Sequence, residues 1–144
     1  MSSTLQQIKN ILVPTDFSPA SWEATRYALD LCHQHQAKMT LLHVVPSRNG
    51  SQAKQAAHMS KKLNELTQSL NANDLNNHIS GLTKSGKVVA EILHHLNEVA
   101  YDIVVMGING NGGMNMDMGK NAREIVECSE IPVQLVPNKI SGGS

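Results

Sequence analysis

The chain has 144 residues, of which 40% are hydrophobic and 17% are charged, a composition typical of one globular domain and not of a disordered or fibrous protein. Lysine plus arginine equals aspartate plus glutamate at twelve each, so the chain has no overall field that would attract nucleic acid or an anionic membrane. One Phe, one Trp and two Tyr are too few aromatic side chains for a surface that stacks on single-stranded bases.

The sequence carries no signal for a membrane, for export or for a metal. No apolar run approaches the ~18 residues of a membrane span, and the N-terminal segment MSSTLQQIKN lacks the apolar centre of a signal peptide. Cys32 and Cys128 stand in separate helical patterns without a CxxC pair, so we predict buried, reduced thiols and no metal site. We therefore expect a cytoplasmic protein.

The first half of the chain alternates strand and helix patterns. Residues 8–14 and 38–45 end in apolar runs that predict buried strands. Ser18-Pro19 predicts a helix start, because serine is a good N-cap and proline suits the first helical position. The apolar stripes of the first and second helices are Ala20, Ala24, Tyr27, Ala28 and Leu31, then Ala56, Met59, Leu63, Leu66 and Leu70.

The second half repeats this alternation. Residues 78–84 give the weakest strand pattern, and DIVVMG at residues 102–107 gives the strongest. A glycine-rich loop follows, then a short helix that begins near Gly119 and a last strand over residues 132–137. The inward positions predicted for the third and fourth helices are Val89, Ile92, Leu93, Leu96 and Val99, then Ala122, Ile125, Val126 and Ser129.

Five apolar strands alternating with four helices predict an α/β fold. Strands rich in Val, Leu and Ile are covered on both faces, which indicates a parallel sheet joined by right-handed crossovers. We predict a single doubly wound domain over residues 1–144, with an ordered core at about 8–137. Its five-stranded parallel sheet has helices on both faces and the strand order 3-2-1-4-5.

In such a sheet, ligands bind outside the carboxyl ends of the strands, where the strand order reverses. Here that position lies between VPTD, which ends strand one, and the loop GINGNGGMNMDMGKNA at residues 107–122. Asp16 can accept hydrogen bonds from ribose hydroxyls or an exocyclic amine, and glycines let backbone N–H groups approach phosphate oxygens. The loop by itself fits neither the P-loop pattern nor the dinucleotide fingerprint, and a flexible surface crossover is the alternative explanation.

Four segments together resemble the universal stress protein family: ILVPTDFS, LLHVV, DIVVMG with its glycine loop, and IPVQLVP. The resemblance covers roughly residues 8–137. It implies a homodimer formed by edge-to-edge pairing of the last strand, Val133 to Val136, because an exposed terminal strand needs a partner. It also implies a regulatory role in a stress response, with a regulatory partner that the sequence does not identify.

Family members that bind adenine nucleotides carry G-x2-G-x9-G-[S/T] after strand four. Gly107 and Gly110 match the first spacing, but eight residues separate Gly110 from Gly119, and Lys120 replaces the hydroxyl residue. The shorter loop loses up to ~3.5 Å of reach, whereas Lys120 brings a charge that can meet phosphate. Asn121 is a suitable cap or donor at a helix start.

The resemblance thus implies a site for ATP or AMP, with or without Mg²⁺, in which Asp16 holds the adenosine end and the Val44 backbone contacts the adenine. The implied residues are Pro14, Thr15, Asp16, Val44, Gly107, Asn109, Gly110, Gly112, Gly113, Gly119, Lys120 and Asn121. Purely structural explanations compete with this one. Asp16 can merely brace the turn into the first helix, His43 is expected to be a buried, hydrogen-bonded strand histidine, and the adjacent His94 and His95 are expected on a solvated face.

Three functions remain open at this point. They are a regulatory dimer that binds an adenine nucleotide, a dimeric interaction module without a nucleotide, and a slow ATPase or nucleotidyl-transfer enzyme. No Ser/His/Asp arrangement, carboxylate pair or metal cluster is visible in the sequence near the predicted crevice. We therefore favour the regulatory module, expect no catalytic residues, and expect at most weak ATP hydrolysis.

Overall fold

Within the residues that the structure describes, five strands alternate with four helices. The computed structural model describes residues 7–46, 53–72, 78–109 and 116–138. The elements are β1 (Asn10–Pro14), α1 (Pro19–His35), β2 (Lys38–Pro46), α2 (Ala53–Ala72), β3 (Ile79–Gly86), α3 (Val88–Glu98), β4 (Ile103–Asn109), α4 (Met116–Cys128) and β5 (Val133–Asn138). None of the described helices combines the length and apolar character that crossing a bilayer requires.

The five strands form one parallel sheet in the order β3-β2-β1-β4-β5. This confirms the predicted architecture, including its strand order. β1 lies at the centre, since Ile11 pairs with Met39 of β2 on one side and with Ile103 of β4 on the other. The strand order therefore reverses at β1, and a crevice opens at the carboxyl ends of β1 and β4.

The sheet is buried on both faces because its central strands are apolar at nearly every position. Ile11, Val13 and Leu41 pack with α1 and α2 on one face, and Leu12 and Val104 pack with α3 and α4 on the other. None of these five side chains has exposed surface. Burying each one contributes about 1.5–3 kcal/mol, so the two apolar layers hold the sheet in the middle of the domain.

α1 begins where the sequence predicts. The Ser18 side chain accepts a hydrogen bond from the backbone N–H of Ser21, and Pro19 is the first residue of the helix. At the other end, Gln36 adopts a left-handed conformation (φ 55°) and donates its N–H to the Cys32 carbonyl. Both ends of α1 are therefore fixed by local hydrogen bonds, and its start lies beside the crevice.

Four side chains predicted to be buried are exposed instead. Tyr27, Val99 and Val126 keep 39%, 42% and 45% of their surface, and the Cys128 thiol is exposed whereas that of Cys32 is buried. Val99 is the C-cap of α3 and so lies beyond the packed face of that helix. Tyr27 and Val126 lie beside the outer edge of β5, where no other described strand covers them.

α4 begins at Met116, three residues before the predicted start near Gly119. Met is a good helix former, and an acidic residue such as Asp117 suits the first turn of a helix. These two preferences place the start earlier than the glycine suggests. Gly119 consequently lies inside the helix, where an added Cβ meets nothing within 4 Å.

His95 is buried, with 5% of its surface exposed, so the predicted solvated position is wrong for this residue. Its Nε2 lies 2.8 Å from the Tyr101 hydroxyl, which ties α3 to the segment before β4. Burial, and after it the positive charge of Lys84, lower the pKa of His95 below the ordinary value of 6.5. The folded protein therefore favours the neutral imidazole.

We expect the free energy of unfolding to decrease as the pH is lowered through 6.5, the ordinary pKa of histidine. In this window the unfolded chain binds a proton at His95 that the folded protein resists, so acidification favours unfolding. His95→Gln should flatten this dependence, measured as the urea midpoint against pH. The exposed His58 of α2 provides the matched control as His58→Gln, and equal flattening in both variants would contradict the assignment to His95.

Candidate functional site

A cavity of about 220 Å³ opens at the carboxyl ends of β1, β2 and β4. Its volume is just below that of typical small-molecule pockets, which is on the order of 300–1,000 Å³. Its position is the one where strand order reverses and where parallel sheets bind ligands. The lining residues are Pro14, Thr15, Asp16, Leu42, His43, Val44, Pro46, Val88, Ile92, Met106, Gly107 and Asn121.

The turn from β1 into α1 is held by a chain of hydrogen bonds that begins at Thr15. The Thr15 N–H donates to the Leu42 carbonyl at 2.8 Å, which keeps the turn beside β2. The Thr15 hydroxyl accepts the Phe17 N–H at 3.0 Å and donates to the Ser21 hydroxyl at 3.1 Å. The end of β1 and the start of α1 therefore form one rigid unit at the rim of the cavity.

Asp16 lines the cavity and also braces the turn into α1. Its Oδ1 accepts the backbone N–H of Ser18 at 3.0 Å, which is the structural role that the sequence left as an alternative. The residue is otherwise exposed, so the second carboxylate oxygen can accept a hydrogen bond from a ligand. The two explanations of Asp16 are therefore compatible.

Phe17 has a conformation that sequence reasoning missed. Its φ is +64°, in the left-handed region, which costs a bulky L-residue roughly 1–2 kcal/mol. Its ring packs against that of His43 with 4.9 Å between centroids, and the Lys62 ammonium lies 4.7 Å from the Phe17 centroid. These contacts fix the backbone directly after Asp16, and therefore the direction of the Asp16 carboxylate.

His43 connects β2 to the same turn. Its Nδ1 lies 2.8 Å from the Thr15 carbonyl oxygen, and because a carbonyl only accepts, Nδ1 carries the proton. Only 7% of the residue is exposed. The prediction of a buried, hydrogen-bonded strand histidine is confirmed. The imidazole supports the cavity wall by holding Thr15 in place.

The inner wall of the cavity is apolar. Val44 is one of its residues, as predicted, and the wall also contains Val88 and Ile92 from α3 and Met106 from β4. The helical period placed Ile92 on the apolar face of its helix. The helical period does not indicate that α3 contacts the carboxyl end of the sheet at Ile92, because this contact depends on how α3 packs against the sheet.

Gly107 lines the cavity, and its missing side chain has a structural reason. A Cβ added there would overlap the backbone carbonyl of Ala20 and lie 2.9 Å from the Ser21 nitrogen. The end of β4 thus approaches the first turn of α1 more closely than any other residue type allows. This close approach closes one side of the cavity.

The other residues of the predicted glycine loop are distributed differently. Asn121 of α4 is half-buried and lines the cavity, whereas Gly119 and Lys120 are exposed and are not among its lining residues. Asn109 ends β4, where its backbone pairs with Asn138. Three further predicted residues lie outside the described part of the chain: Gly110, Gly112 and Gly113.

The charges around the cavity are few. Among the lining residues that the structure describes, Asp16 is the one carboxylate, and none is lysine or arginine. The described residues contain no group of three His, Cys, Asp or Glu side chains that could hold a metal ion. An apolar wall with a single fixed carboxylate can hold a flat ring system and hydrogen-bond a polar group attached to it.

The universal stress protein family model matches residues 7–137. In structure the chain is similar to universal stress protein UspA from Lactobacillus plantarum (TM-score 0.75, 21% identity, covering 92% of this chain and 99% of that one). It is also similar to a universal stress protein family protein from Arabidopsis thaliana with AMP bound (TM-score 0.62, 19% identity, covering 92% of this chain and 93% of that one). A third similar structure is the universal stress protein from Archaeoglobus fulgidus in complex with dAMP (TM-score 0.66, 16% identity, covering 90% of this chain and 98% of that one). No curated protein sequence gives a significant match.

Proposed function

Because the chain belongs to the universal stress protein family, we propose that it binds an adenine nucleotide in the cavity at the carboxyl ends of β1, β2 and β4. In this proposal the protein is a cytoplasmic regulator in a stress response, and nucleotide occupancy alters its contacts with a partner. The observation that carries the proposal is the position of Asp16 opposite an apolar wall, at the reversal of strand order.

The cavity residues suit the parts of an adenine nucleotide. The apolar side chains of Val88, Ile92 and Met106 can contact the faces of a purine, and the Val44 backbone can hydrogen-bond its edge. Asp16 retains an oxygen for the ribose hydroxyls. The phosphate end then points towards Gly107 and the amino-terminal end of α4, where backbone N–H groups favour anions. The AMP and dAMP complexes of the similar proteins support the same ligand class.

We assign the protein a binding role and not a catalytic one. The described part of the chain places a single carboxylate in the cavity lining, and hydrolysis needs a second group that activates or positions the attacking water. The same carboxylate is a weak candidate for Mg²⁺ because it has no second acidic ligand among the lining residues. Release of phosphate from ATP above the buffer rate, and its loss with Asp16→Asn, would instead favour the slow ATPase.

A thermal unfolding experiment tests the proposed function. The ligand probes are adenosine, AMP and ATP, each up to millimolar concentration, together with chromatography of any nucleotide released from the purified protein by heat. A ligand present at 100 times its Kd stabilises a protein by about 2.7 kcal/mol. The absence of any shift with all three probes would overturn nucleotide binding and favour the dimeric interaction module.

Asp16→Asn is expected to weaken AMP binding by about tenfold or more, because a hydrogen bond to a charged group contributes about 1.5–3 kcal/mol. The asparagine side chain keeps an oxygen that can accept the Ser18 N–H, so the melting temperature without ligand should decrease only slightly, through the loss of a negative charge near the start of α1. Titration calorimetry measures the affinity. Asp30→Asn removes the same charge from the exposed face of α1 and is the matched control. If both variants weaken binding equally, Asp16 makes no specific contact.

We also propose that the protein is a homodimer that pairs through β5, over Val133 to Val136. β5 is an edge strand of the described sheet. Its outer edge is flanked by Tyr27 on one face of the sheet and Val126 on the other, both partly exposed. An apolar edge strand of this kind is a surface that a second copy can cover.

A further inference from the structure

We infer that a groove between the carboxyl ends of α3 and α4 binds a small organic cation, an alkylammonium ion whose chain lies against apolar side chains. This groove (the α3–α4 groove) has a volume of about 270 Å³. That volume is just below the range of typical small-molecule pockets, so a small free amine is the ligand that fits it. None of its lining residues belongs to the cavity at the carboxyl ends of β1, β2 and β4. The two sites can therefore be tested separately.

One wall of the α3–α4 groove is apolar. Leu93 and Leu96 of α3 line it together with Ile131, which lies just before β5. The turn that carries Ile131 is fixed by Ser129. The Ser129 hydroxyl donates to the Ile131 carbonyl at 2.9 Å and accepts the Ile131 N–H at 3.1 Å. The wall is therefore preformed, and it can cover a short aliphatic chain without the cost of ordering a loop.

Two helices end at this groove. Asn97 lies in the last turn of α3, Cys128 is the last residue of α4, and both line the groove. The last four carbonyls of an α-helix have no partner inside the helix, and their combined charge of roughly −0.5 favours a cation. The last turn of α4 contains no basic residue, and that of α3 contains only His95. Burial lowers the pKa of His95 and favours its neutral form. Neither helix end therefore has a cation of its own.

The charged side chain in the groove is acidic as well. Among the described lining residues, Glu130 is the one that carries a charge. The residues next to the lining in the chain include two glutamates and neither lysine nor arginine. Arg123 of α4 lines a different groove, beside β5. Lys9 and Lys38 lie at the starts of β1 and β2, which β4 separates from β5. An ammonium group in the α3–α4 groove is therefore attracted by Glu130 and by both helix ends.

Cys128 provides a direct measure of occupancy. Its thiol is exposed, whereas that of Cys32 is buried, so iodoacetamide should alkylate the folded protein at Cys128. Mass spectrometry distinguishes the two sites. The probes are n-butylammonium, n-butanol and butyrate, which share a short aliphatic chain and differ in charge. We expect n-butylammonium to slow the alkylation about fivefold or more once its concentration exceeds Kd several times. The other two probes should leave the rate nearly unchanged.

The amide resonance of Ile131 in a two-dimensional NMR spectrum gives a second measurement, which does not require the ligand to cover the thiol. Protection of Cys128 or a shift at Ile131, when it is confined to n-butylammonium, supports the site. Equal effects of n-butanol would show an apolar groove without recognition of charge and would overturn the cation. Neither protection nor a shift at tens of millimolar n-butylammonium would overturn the site itself.

Glu130→Gln tests whether the recognised charge is local. We expect this variant to increase the Kd of n-butylammonium about two- to fivefold, the effect of losing an exposed charge pair, and added salt to reduce the difference. Glu127→Gln is the matched control, because it removes the same charge from a residue that lines the groove on the β5 side of α4. Protection of Cys128 gives Kd for each variant. Equal increases in both would show a general charge effect and overturn the role of Glu130 in the groove.

Discussion

Gly107→Ala is expected to lower the free energy of unfolding by about 3 kcal/mol or more. The added Cβ would overlap the Ala20 carbonyl, and Ala20 belongs to a first turn that is fixed by the Ser18 cap and the Ser21 hydrogen bonds. β4 is held against retreat, since Ile103 and Val104 pair with β1 and Gly107 itself pairs with Val136 of β5. Overpacking against movable side chains costs about 1–3 kcal/mol, and a clash between two fixed backbones exceeds that.

Gly119→Ala is the matched control from the same glycine-rich segment. An added Cβ there meets nothing within 4 Å, and the residue lies inside α4. Alanine is favoured over glycine in a helix by about 0.8–1 kcal/mol, so this variant should be slightly more stable than the parent protein. Urea unfolding followed by circular dichroism gives both values. If Gly107→Ala unfolds at the parent's midpoint, β4 and α1 do not approach as closely as the structure indicates.

Alanine is expected to lower the free energy of unfolding at Gly107 and to raise it at Gly119, and this difference matters for the study of ligand binding. Both were predicted from the sequence as residues of one phosphate-binding segment. Loss of nucleotide binding in Gly107→Ala would follow from a displaced β4 or α1 and would not identify a phosphate contact. Asp16→Asn is therefore the better probe of the site, because it changes a polar group that lines the cavity.

The sheet could be predicted from the sequence because each of its strands is identified by a short segment of the chain. Each strand is a short apolar run, and β1 begins its buried stretch at Ile11 with no polar residue until Thr15. Parallel strands covered on both faces leave few permitted topologies, and right-handed crossovers reduce them further. The start of α1 was equally predictable, since serine favours the N-cap position and proline favours the first helical position in any helix.

The contacts between elements could not be predicted in the same way. Ile92 was correctly placed on the apolar face of α3, but only docking brings it to the cavity. The left-handed Phe17 has no signal in its residue type, because glycine or asparagine would be expected at such a backbone angle. Val126 and Tyr27 follow the apolar period of their helices, yet both extend past the last strand to an open edge.

The geometry of that edge defines how a second copy can pair with it. The Pro132 carbonyl accepts the Val104 N–H, so it points to β4. Since backbone groups alternate along a strand, the outward-facing residues of β5 are Val133, Leu135 and Pro137. The Gln134 side chain donates to the Leu135 carbonyl at 3.1 Å, which agrees with that oxygen lying on the open edge. Pro137 has no N–H to offer, so the outward N–H donors of β5 are those of Val133 and Leu135.

Leu135→Pro is expected to weaken the proposed homodimer by about 5- to 150-fold. It removes one outward-facing N–H from each copy, and two hydrogen bonds at about 0.5–1.5 kcal/mol each correspond to that range. The bonds from β5 to β4 use the other residues of the strand and should persist. Sedimentation velocity across a concentration series measures the dissociation constant, and circular dichroism checks that the sheet remains folded.

Val126→Lys tests the same interface without touching a backbone hydrogen bond. It puts a charge on an exposed position of α4 beside the open edge, where a two-fold axis brings the charges of two copies towards each other. Val99→Lys is the matched control, since Val99 is almost equally exposed but lies at the end of α3. Dissociation by Val126→Lys and Leu135→Pro, with Val99→Lys still dimeric, would place the second copy on β5. A parent protein that sediments as a monomer at about 100 μM would contradict the homodimer, because an interface of ordinary size holds well below that concentration.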